Sequence, residues 1–502
     1  MRKNNFQKIL EIIKKFWKPF LIVFLIYCFS MLALWRANVS FIDDVGRAPI
    51  GYGWTSDFNR YSSSFLSFFL INMNLKLADL SPYTQILAMA FLAISGIIIT
   101  YTLCEKKIKM VPLILTALFG LTPMAITCWS YKFDAPCMAL AVLASVLPFV
   151  FWPSEKASKK SWIKFLAISL VCLIIMWTSY QAFSGVYIVM VIAIAIRDLL
   201  NGNKFKATFL RALICVVPYL LAAIIFKFCF PEVHGYRPTE MFAISELIPG
   251  VFHNLALFKD ALCSWFTIMW KVAILGLFIA ALASFYIFSK KNKTARLVDV
   301  AIGACGILLC AIFSFGAYLV LDGPEVLPRA LVGFGMVLAI MGVFATRNLT
   351  VKNPKILLAV PGFLLLYLFI VFSFAYSNAL ADQQRYGDFR NDLMISDLSH
   401  LYPNHEELAS KKLQIQGQIG LSAVAQHVAN EYPVTNMMID IAQQGLSEHV
   451  WGTKRFQFNY NIGVENFPDN NGRLDCSVMP VKLDTYYHEI RAEGEYICVI
   501  LK

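Results

Sequence analysis

Two adjacent carboxylates, Asp43 and Asp44, follow the first long apolar run of this 502-residue chain. Neighbouring carboxylates repel each other when both are ionised, so one of them is expected to have a raised pKa. A carboxylate of that kind suits general-base chemistry, for example removal of the proton from a sugar hydroxyl. The pair is equally expected at the start of a solvated loop or as a helix cap, and spacing alone leaves both interpretations open.

Basic residues recur in this segment and in three later segments that join apolar runs: Arg47, Lys132, Arg237 and Arg329. Guanidinium groups bind phosphate oxygens in a bidentate manner. Carboxylates and phosphate-binding cations beside a bilayer favour group transfer from a lipid-phosphate donor. Arg329 also fits an interfacial anchor whose charged end reaches the membrane surface.

Asp134 fits either a second functional acid or the N-cap of a helix that begins at Ala135-Pro136. Trp54 lies near a helix end, where tryptophan is typical of the membrane interface, although sugar stacking also uses it. His234 has no His or Cys partner at metal-ligand spacing, so no metal site is expected.

The chain has 12 cysteines and no Cys-x-x-Cys pair. Ten of them lie in or beside apolar runs, where cysteine acts as a small hydrophobe. Cys476 and Cys498 lie in the polar tail, and a disulfide between them is expected if that tail is extracytoplasmic.

Composition defines the elements that must position these residues. The chain is 58% hydrophobic and 15% charged, with a mean hydropathy of +0.61, which is far more apolar than a globular protein. Its net charge of +12 is concentrated in short basic clusters between apolar runs. This positive-inside pattern argues against nucleic acid as a partner and indicates a multi-pass membrane protein. The basic N-terminus leads into a first helix without a cleavage site, so we expect that helix to be retained.

About eleven spans of suitable length are predicted, and every second turn between them is basic. The first outer loop covers 36–83, with an interfacial or re-entrant helix over 62–75. An even number of crossings fits between the N-terminal and the 105–109 basic clusters, which places the N-terminus in the cytoplasm and the tail outside. The predicted spans are 19–35, 86–102, 111–129, 136–152, 162–178, 183–197, 211–230, 264–288, 297–320, 330–346 and 355–376.

The composition changes near residue 381, which divides the chain into a transmembrane catalytic domain (1–380) and a soluble extracytoplasmic α/β domain (381–502). Helices are predicted over 383–400 and 420–431, and strands over 413–419, 437–441 and 496–501. The predicted fold class is therefore an all-α polytopic membrane protein with a small C-terminal α/β domain.

The segment FIDDVGRAPIGYGW (41–54) resembles the opening signature of the bacterial GtrII-type glucosyltransferase family. SYKFDAPCMAL (130–140) resembles a second family segment, and the order of apolar runs and tail matches as well. Where the family pattern would have Gly-Arg-Pro, this chain has Asn59-Arg60-Tyr61.

The resemblance implies a GT-C-type glycosyltransferase in the bacterial plasma membrane. Such an enzyme moves a hexose, here expected to be glucose, from a polyprenyl-phosphate carrier to an envelope polysaccharide such as O-antigen. The transfer is expected to invert the anomeric centre and to need no metal or other cofactor. A companion flippase and a donor-synthesising enzyme are expected partners.

The resemblance also assigns expected roles to residues. It makes Asp43 or Asp44 the base and Asp134 a second essential acid. Arg47 and Arg60 match family positions without an assigned role. Phosphate binding by Arg329 follows from its chemistry and not from the motif.

Two other classes remain open. A lipid-linked sugar transporter or flippase would have polar residues inside its spans and often repeat symmetry. A polysaccharide polymerase or ligase would have Arg/His-rich loops late in the chain. The acid pair after the first span favours the transferase.

Overall fold

The computed structural model describes residues 5–154, 157–230, 240–289, 291–349, 354–439, 446–460, 465–466 and 474–502. Its helices pack around an apolar core, and a small mixed sheet follows near the C-terminus. The helices are α1 (Asn5–Ala37), α2 (Asp44–Ile50), α3 (Thr55–Phe58), α4 (Tyr61–Phe65), α5 (Tyr83–Leu103), α6 (Met110–Leu115), α7 (Leu118–Leu121), α8 (Pro123–Ser130), α9 (Ala135–Val146), α10 (Lys159–Trp177), α11 (Ser184–Leu200), α12 (Phe205–Cys229), α13 (Leu247–Trp265), α14 (Ile268–Phe288), α15 (Lys293–Phe313), α16 (Phe334–Thr346), α17 (Val360–Leu401), α18 (His405–Ala409), α19 (Ala423–Glu431), α20 (Thr435–Met438) and α21 (Val450–Tyr460).

Within the described residues, eight helices are long and apolar enough to cross a membrane: α1, α5, α10, α11, α12, α14, α15 and α17. The chain is therefore a multi-pass membrane protein, as its hydropathy predicts. A ninth crossing exists if Met110–Leu121 and Pro123–Ser130, which meet at 65°, form one broken span. Pro123 explains the break, because the residue before a proline is driven out of the helical region, and Thr122 has ψ 150°.

The predicted count of eleven spans is not confirmed. The remaining two segments form shorter apolar helices, Ala135–Phe151 and Phe334–Thr346. A 13-residue helix such as α16 extends only about 20 Å at 1.5 Å per residue, less than the roughly 30 Å hydrocarbon layer. From Gly335 onward every residue of α16 is buried, so this helix is apolar on all sides because protein surrounds it.

The first outer loop is largely helical. Helix α4 continues through a π-helical segment, Leu66–Ile71, so a short helix covers Tyr61–Ile71 where a helix over 62–75 is predicted. Phe65 is 56% exposed and Leu70 is 61% exposed, which suits an interfacial helix whose apolar side meets lipid.

Helix α13 is absent from the prediction. Its residues Gly250, Asn254, Phe258 and Leu262 are buried at intervals of four, which is the periodicity of an amphipathic helix. The Asn254 amide donates hydrogen bonds to the carbonyls of three residues in 318–321, and so binds α13 to the segment before Arg329.

Helix α17 runs without interruption across the predicted domain boundary at 380. Its 42 residues extend about 63 Å, from the membrane core to the C-terminal sheet. Met394 and Leu398 near its end pack on the apolar side of that sheet. The tail is therefore joined to the membrane part through a continuous helix.

The C-terminal sheet has the strand order β2-β1-β5-β4-β3. β1 is parallel to both β2 and β5, whereas β3, β4 and β5 are antiparallel. Cys476 and Cys498 form a disulfide, with their Cα atoms 6.0 Å apart. The strands are β1 (Lys412–Gln416), β2 (Glu465–Asn466), β3 (Val481–Asp484), β4 (His488–Glu493) and β5 (Tyr496–Leu501).

The strand predicted over 437–441 is wrong in its first part, because Met437 and Met438 belong to helix α20, and 440–441 lie outside the described residues. Alternation of apolar and polar residues does not distinguish a strand from a single helical turn in so short a segment.

Candidate active site

Asp44 is a fully buried structural carboxylate. One of its oxygens accepts hydrogen bonds from the main-chain amides of Phe41 at 3.0 Å and Lys132 at 2.9 Å. Its other oxygen accepts from the amide of Phe133 at 3.4 Å. Burial raises the pKa of Asp44 to about 7. The carboxylate thus joins the start of α2 to the segment before α9, and its hydrogen-bonding capacity is used within the protein.

Asp43 is in a different environment, although it is the adjacent residue. It is partly buried, makes no capping hydrogen bond at the start of α2 and lines a cavity. Burial raises the pKa of its carboxyl, and Asp134 raises it further, while Arg47, Arg329 and Arg60 lower it. Asp43 is therefore an acid with a raised pKa that faces open space beside three cations.

Asp134 lines the same cavity and is the centre of a buried polar cluster. It pairs with Arg47, accepts a hydrogen bond from the indole nitrogen of Trp54 at 2.6 Å, and lies 3.7 Å from an Arg60 nitrogen. Its side chain does not cap α9, so the capping alternative does not account for it. An unpaired carboxylate at this depth would be very costly, and the two arginines supply the compensating charge.

Arg47 is fully buried, and its guanidinium lies 4.3 Å from the ring centre of Trp54 and 5.0 Å from that of Tyr52. Its Nε and Nη2 atoms have no hydrogen-bond partner in the protein. Buried guanidinium nitrogens are normally satisfied, and here the aromatic faces stabilise the charge instead.

The cavity has a volume of about 920 Å³, which is the size of a typical ligand site. Three cations line it: Arg60, Arg329 and Lys454. Arg60 stacks on Tyr180 at 4.7 Å, and Arg329 donates a hydrogen bond to the hydroxyl of Tyr131. Its polar and aromatic lining consists of Asp43, Tyr52, Phe58, Arg60, Tyr131, Asp134, Tyr180, Glu325, Arg329, His449, Trp451 and Lys454.

Three of these lining residues, His449, Trp451 and Lys454, come from the C-terminal tail. Arg455 holds this part of the chain against the first outer loop, since it donates hydrogen bonds to the carbonyl of Ser40 at 2.5 Å and to the side chain of Gln384. The tail therefore forms one wall of the cavity.

The structure brings together some of the residues predicted for the site and separates others. Asp43, Asp134, Arg60 and Arg329 line the cavity, whereas Arg47 and Trp54 do not line it but form hydrogen bonds with Asp134. Lys132 does not line the cavity; its amine is paired with Asp79 at 2.9 Å. Arg237 lies outside the described residues.

Tyr52, Tyr131, Tyr180 and the three tail residues are absent from the prediction. Tyr52 and Tyr131 lie inside the two signature segments, so the sequence did contain a signal that could have identified them as site residues. No local sequence pattern indicates a role for Trp451. This residue reaches the cavity by packing against Gly46, which lies more than 400 residues earlier in the chain.

Within the described ranges, no group of three or more His, Cys, Asp or Glu side chains is placed to hold a metal ion. The cations that face the cavity are arginines and one lysine.

The chain is thus a multi-pass membrane protein that brings acids and arginines together in one cavity. The profile of the glucosyl transferase GtrII family matches residues 32–346, which include the acids of the cavity, Arg60 and Arg329. The chain belongs to the GtrII glucosyltransferase family and is a membrane glycosyltransferase, which confirms the predicted resemblance.

Other comparisons add little. No curated protein sequence matches the chain significantly. Among solved structures, the crystal structure of ArnT from Cupriavidus metallidurans bound to undecaprenyl phosphate is similar over 88% of this chain and 89% of that chain, at 10% identity and a TM-score of 0.29. A TM-score of that size does not define a shared fold.

Proposed function

We propose that this protein transfers a hexose, with glucose as the expected sugar, from a polyprenyl-phosphate carrier to a cell-envelope polysaccharide such as O-antigen. The reaction takes place at the outer face of the bacterial plasma membrane and inverts the anomeric centre. The observation that carries the proposal is a partly buried Asp43 facing a cavity that Arg60 and Arg329 also line.

Asp43 is the base in this mechanism. It removes the proton from an acceptor hydroxyl, whose oxygen forms a bond to C1 of the sugar while the bond from C1 to the phosphate oxygen breaks. Asp44 is unsuited to this role because three main-chain amides occupy its carboxylate. Asp134 pairs with Arg47 of α2 and accepts a hydrogen bond from Trp54, and so positions both side chains.

Arg60 and Arg329 stabilise the charge that develops on the departing phosphate. No metal is required in this mechanism, because the guanidinium groups supply the positive charge. Arg60 immediately precedes the helix Tyr61–Ile71, whose Phe65, Phe69 and Leu70 are exposed. A phosphate bound at Arg60 would have its prenyl chain beside that apolar surface, which supports a lipid-linked donor.

The proposed architecture is a GT-C-type transmembrane catalytic domain over 1–380 and an extracytoplasmic α/β domain over 381–502. The tail closes one side of the cavity, so both parts contribute to the reaction.

The test compares wild type, Asp43→Asn and Asp44→Asn in membranes supplied with radiolabelled polyprenyl-phosphate glucose and envelope polysaccharide. Asp43→Asn is expected to lower transfer by about 10²- to 10⁴-fold, as for loss of a general base, with unchanged thermal stability. Asp44→Asn, the same substitution at the adjacent residue, is the matched control. It replaces one acceptor oxygen with an NH2 group that cannot accept a hydrogen bond from the buried main-chain amides, and is expected to cost about 2 kcal/mol of stability.

Full transfer by Asp43→Asn would exclude Asp43 as the base. A wild-type protein that leaves the lipid-linked sugar unchanged would contradict the transferase mechanism with this donor, and movement of that sugar across the bilayer would then identify a flippase.

A further inference from the structure

Two aromatic side chains from different parts of the chain approach the same position in helix α2, that of Gly46. A Cβ atom on Gly46 would lie 2.7 Å from the Cζ3 atom of Trp451 and 3.4 Å from the hydroxyl of Tyr52. Such a distance to Trp451 is below van der Waals contact, so this position admits the ring only because it has no side chain. Tyr52 comes from the first outer loop and Trp451 from the tail, and both line the cavity.

This aromatic pair lies close to the base of the proposed mechanism. Gly46 follows Asp43 by three residues, which is about 4.5 Å along a helix axis. The cations that suit a phosphate, Arg60 and Arg329, come from other parts of the chain and stack on other tyrosines. The cavity thus has two arginines suited to the phosphate of the donor. It also has a separate aromatic pair beside Asp43, the acid that must contact the acceptor.

The Trp451 ring is held in place. Its main-chain amide donates to the Nδ1 atom of His449 at 3.2 Å, and the amine of Lys454 lies 5.2 Å from the centre of the indole. Arg455, in the same helix, binds the carbonyl of Ser40. An aromatic ring fixed at a cavity wall offers an apolar face to a sugar ring, and the neighbouring amine offers a donor to its hydroxyls.

We propose that Trp451, with Tyr52 and Lys454, forms the acceptor subsite, in which a sugar residue of the polysaccharide stacks on the indole and directs one hydroxyl to Asp43. This inference rests on the proposed function. It assigns acceptor recognition to the tail and donor binding to the membrane part.

The experiment measures the KM for donor and for acceptor separately in the full-length protein, with polyprenyl-phosphate glucose and a soluble envelope polysaccharide fragment. Trp451→Ala is expected to raise the acceptor KM on the order of tenfold, the size of one aromatic stacking contact, and to leave the donor KM unchanged. Trp451→Phe keeps an aromatic face and is expected to recover most of the loss. Tyr486→Ala, an 85% exposed aromatic of the tail that lies between β3 and β4 and does not line the cavity, is the matched control and is expected to have no effect.

A direct binding measurement separates this inference from the proposed function. If wild type binds the polysaccharide fragment and Trp451→Ala binds it at least tenfold more weakly, the subsite stands even where no sugar transfer is detected. Equal fragment binding by wild type and Trp451→Ala, or an equal rise in both KM values, would overturn it. A similar loss in Trp451→Phe and Trp451→Ala together with a lowered melting temperature would also overturn it, since it would show that the ring only supports the fold.

Discussion

Asp43 and Asp44 show how far two identical neighbours can differ. Consecutive helical residues point about 100° apart, so the packing of α2 against the segment before α9 buries one carboxylate and leaves the other facing the cavity. Asp44 receives three amide hydrogen bonds, whereas the charge of Asp43 is influenced by Asp134 and three arginines. The sequence suggested a raised pKa from repulsion between the pair, but burial is the main cause for both carboxyls, and the carboxylate that raises both pKa values further is Asp134.

The environment of Asp43 predicts the pH dependence of transfer. A base must be ionised, so activity should fall as the pH drops through the Asp43 pKa, which burial raises above the ordinary value of 3.8. Arg329 lowers this pKa, so Arg329→Gln should move the acid limb of kcat/KM to higher pH. Arg385→Gln, a largely exposed arginine on α17, is the control and should leave the profile in place. If the acid limb is unchanged or moves to lower pH in Arg329→Gln, the assignment of this limb to Asp43 is contradicted.

At the scale of elements, the position of α21 against the first outer loop determines whether the cavity has its tail-derived wall. Arg455 is the main polar contact, and burial lowers its pKa to about 10. The guanidinium remains charged at neutral pH, because that pKa is still about three units higher. Its hydrogen bonds to Ser40 and Gln384 therefore join a charged group to neutral acceptors, each such bond contributing about 1.5–3 kcal/mol.

Arg455→Met should keep the volume of the side chain and remove these hydrogen bonds. We expect faster amide hydrogen exchange in 450–460, together with a raised acceptor KM, because the wall that carries Trp451 loosens. The exchange of α10 should not change, since that helix packs on α9 and α12. Unchanged exchange in α21 would mean that apolar packing alone holds this helix.

At the scale of the whole molecule, the tail and the basic turns should lie on opposite sides of the membrane. The charge asymmetry of the turns predicts this orientation, and the Cys476–Cys498 disulfide suits an oxidising compartment. Helix α17 carries the chain from the membrane core to the sheet without a break.

A single added cysteine at each side tests the orientation. Tyr486→Cys should be labelled in intact cells by a membrane-impermeant maleimide that shifts the protein on a gel. Lys160→Cys, at the exposed start of α10, should be labelled only after the inner membrane is permeabilised. Labelling of each variant is scored as one additional label relative to wild type. The reverse labelling pattern would show that the orientation in the membrane is opposite to the predicted one.

Hydropathy and charge patterning by themselves determined the class of this protein, because the apolar fraction and the basic turns are properties of local sequence. The two signature segments determined the family, and alternation located β5 at 496–501. The number of spans did not follow, since short buried helices such as α16 are as apolar as true spans and only their length and surroundings distinguish them.

Tertiary structure alone decided which residues meet at the site. The choice between Asp43 and Asp44, the pairing of Lys132 with Asp79, and the arrival of Trp451 beside Gly46 depend on contacts between distant parts of the chain. Local periodicity describes which side of an element is apolar, but it does not state which other element will cover that side. For that reason the sequence was sufficient to recognise a membrane glycosyltransferase, and the packed structure was needed to separate its candidate base from a structural acid.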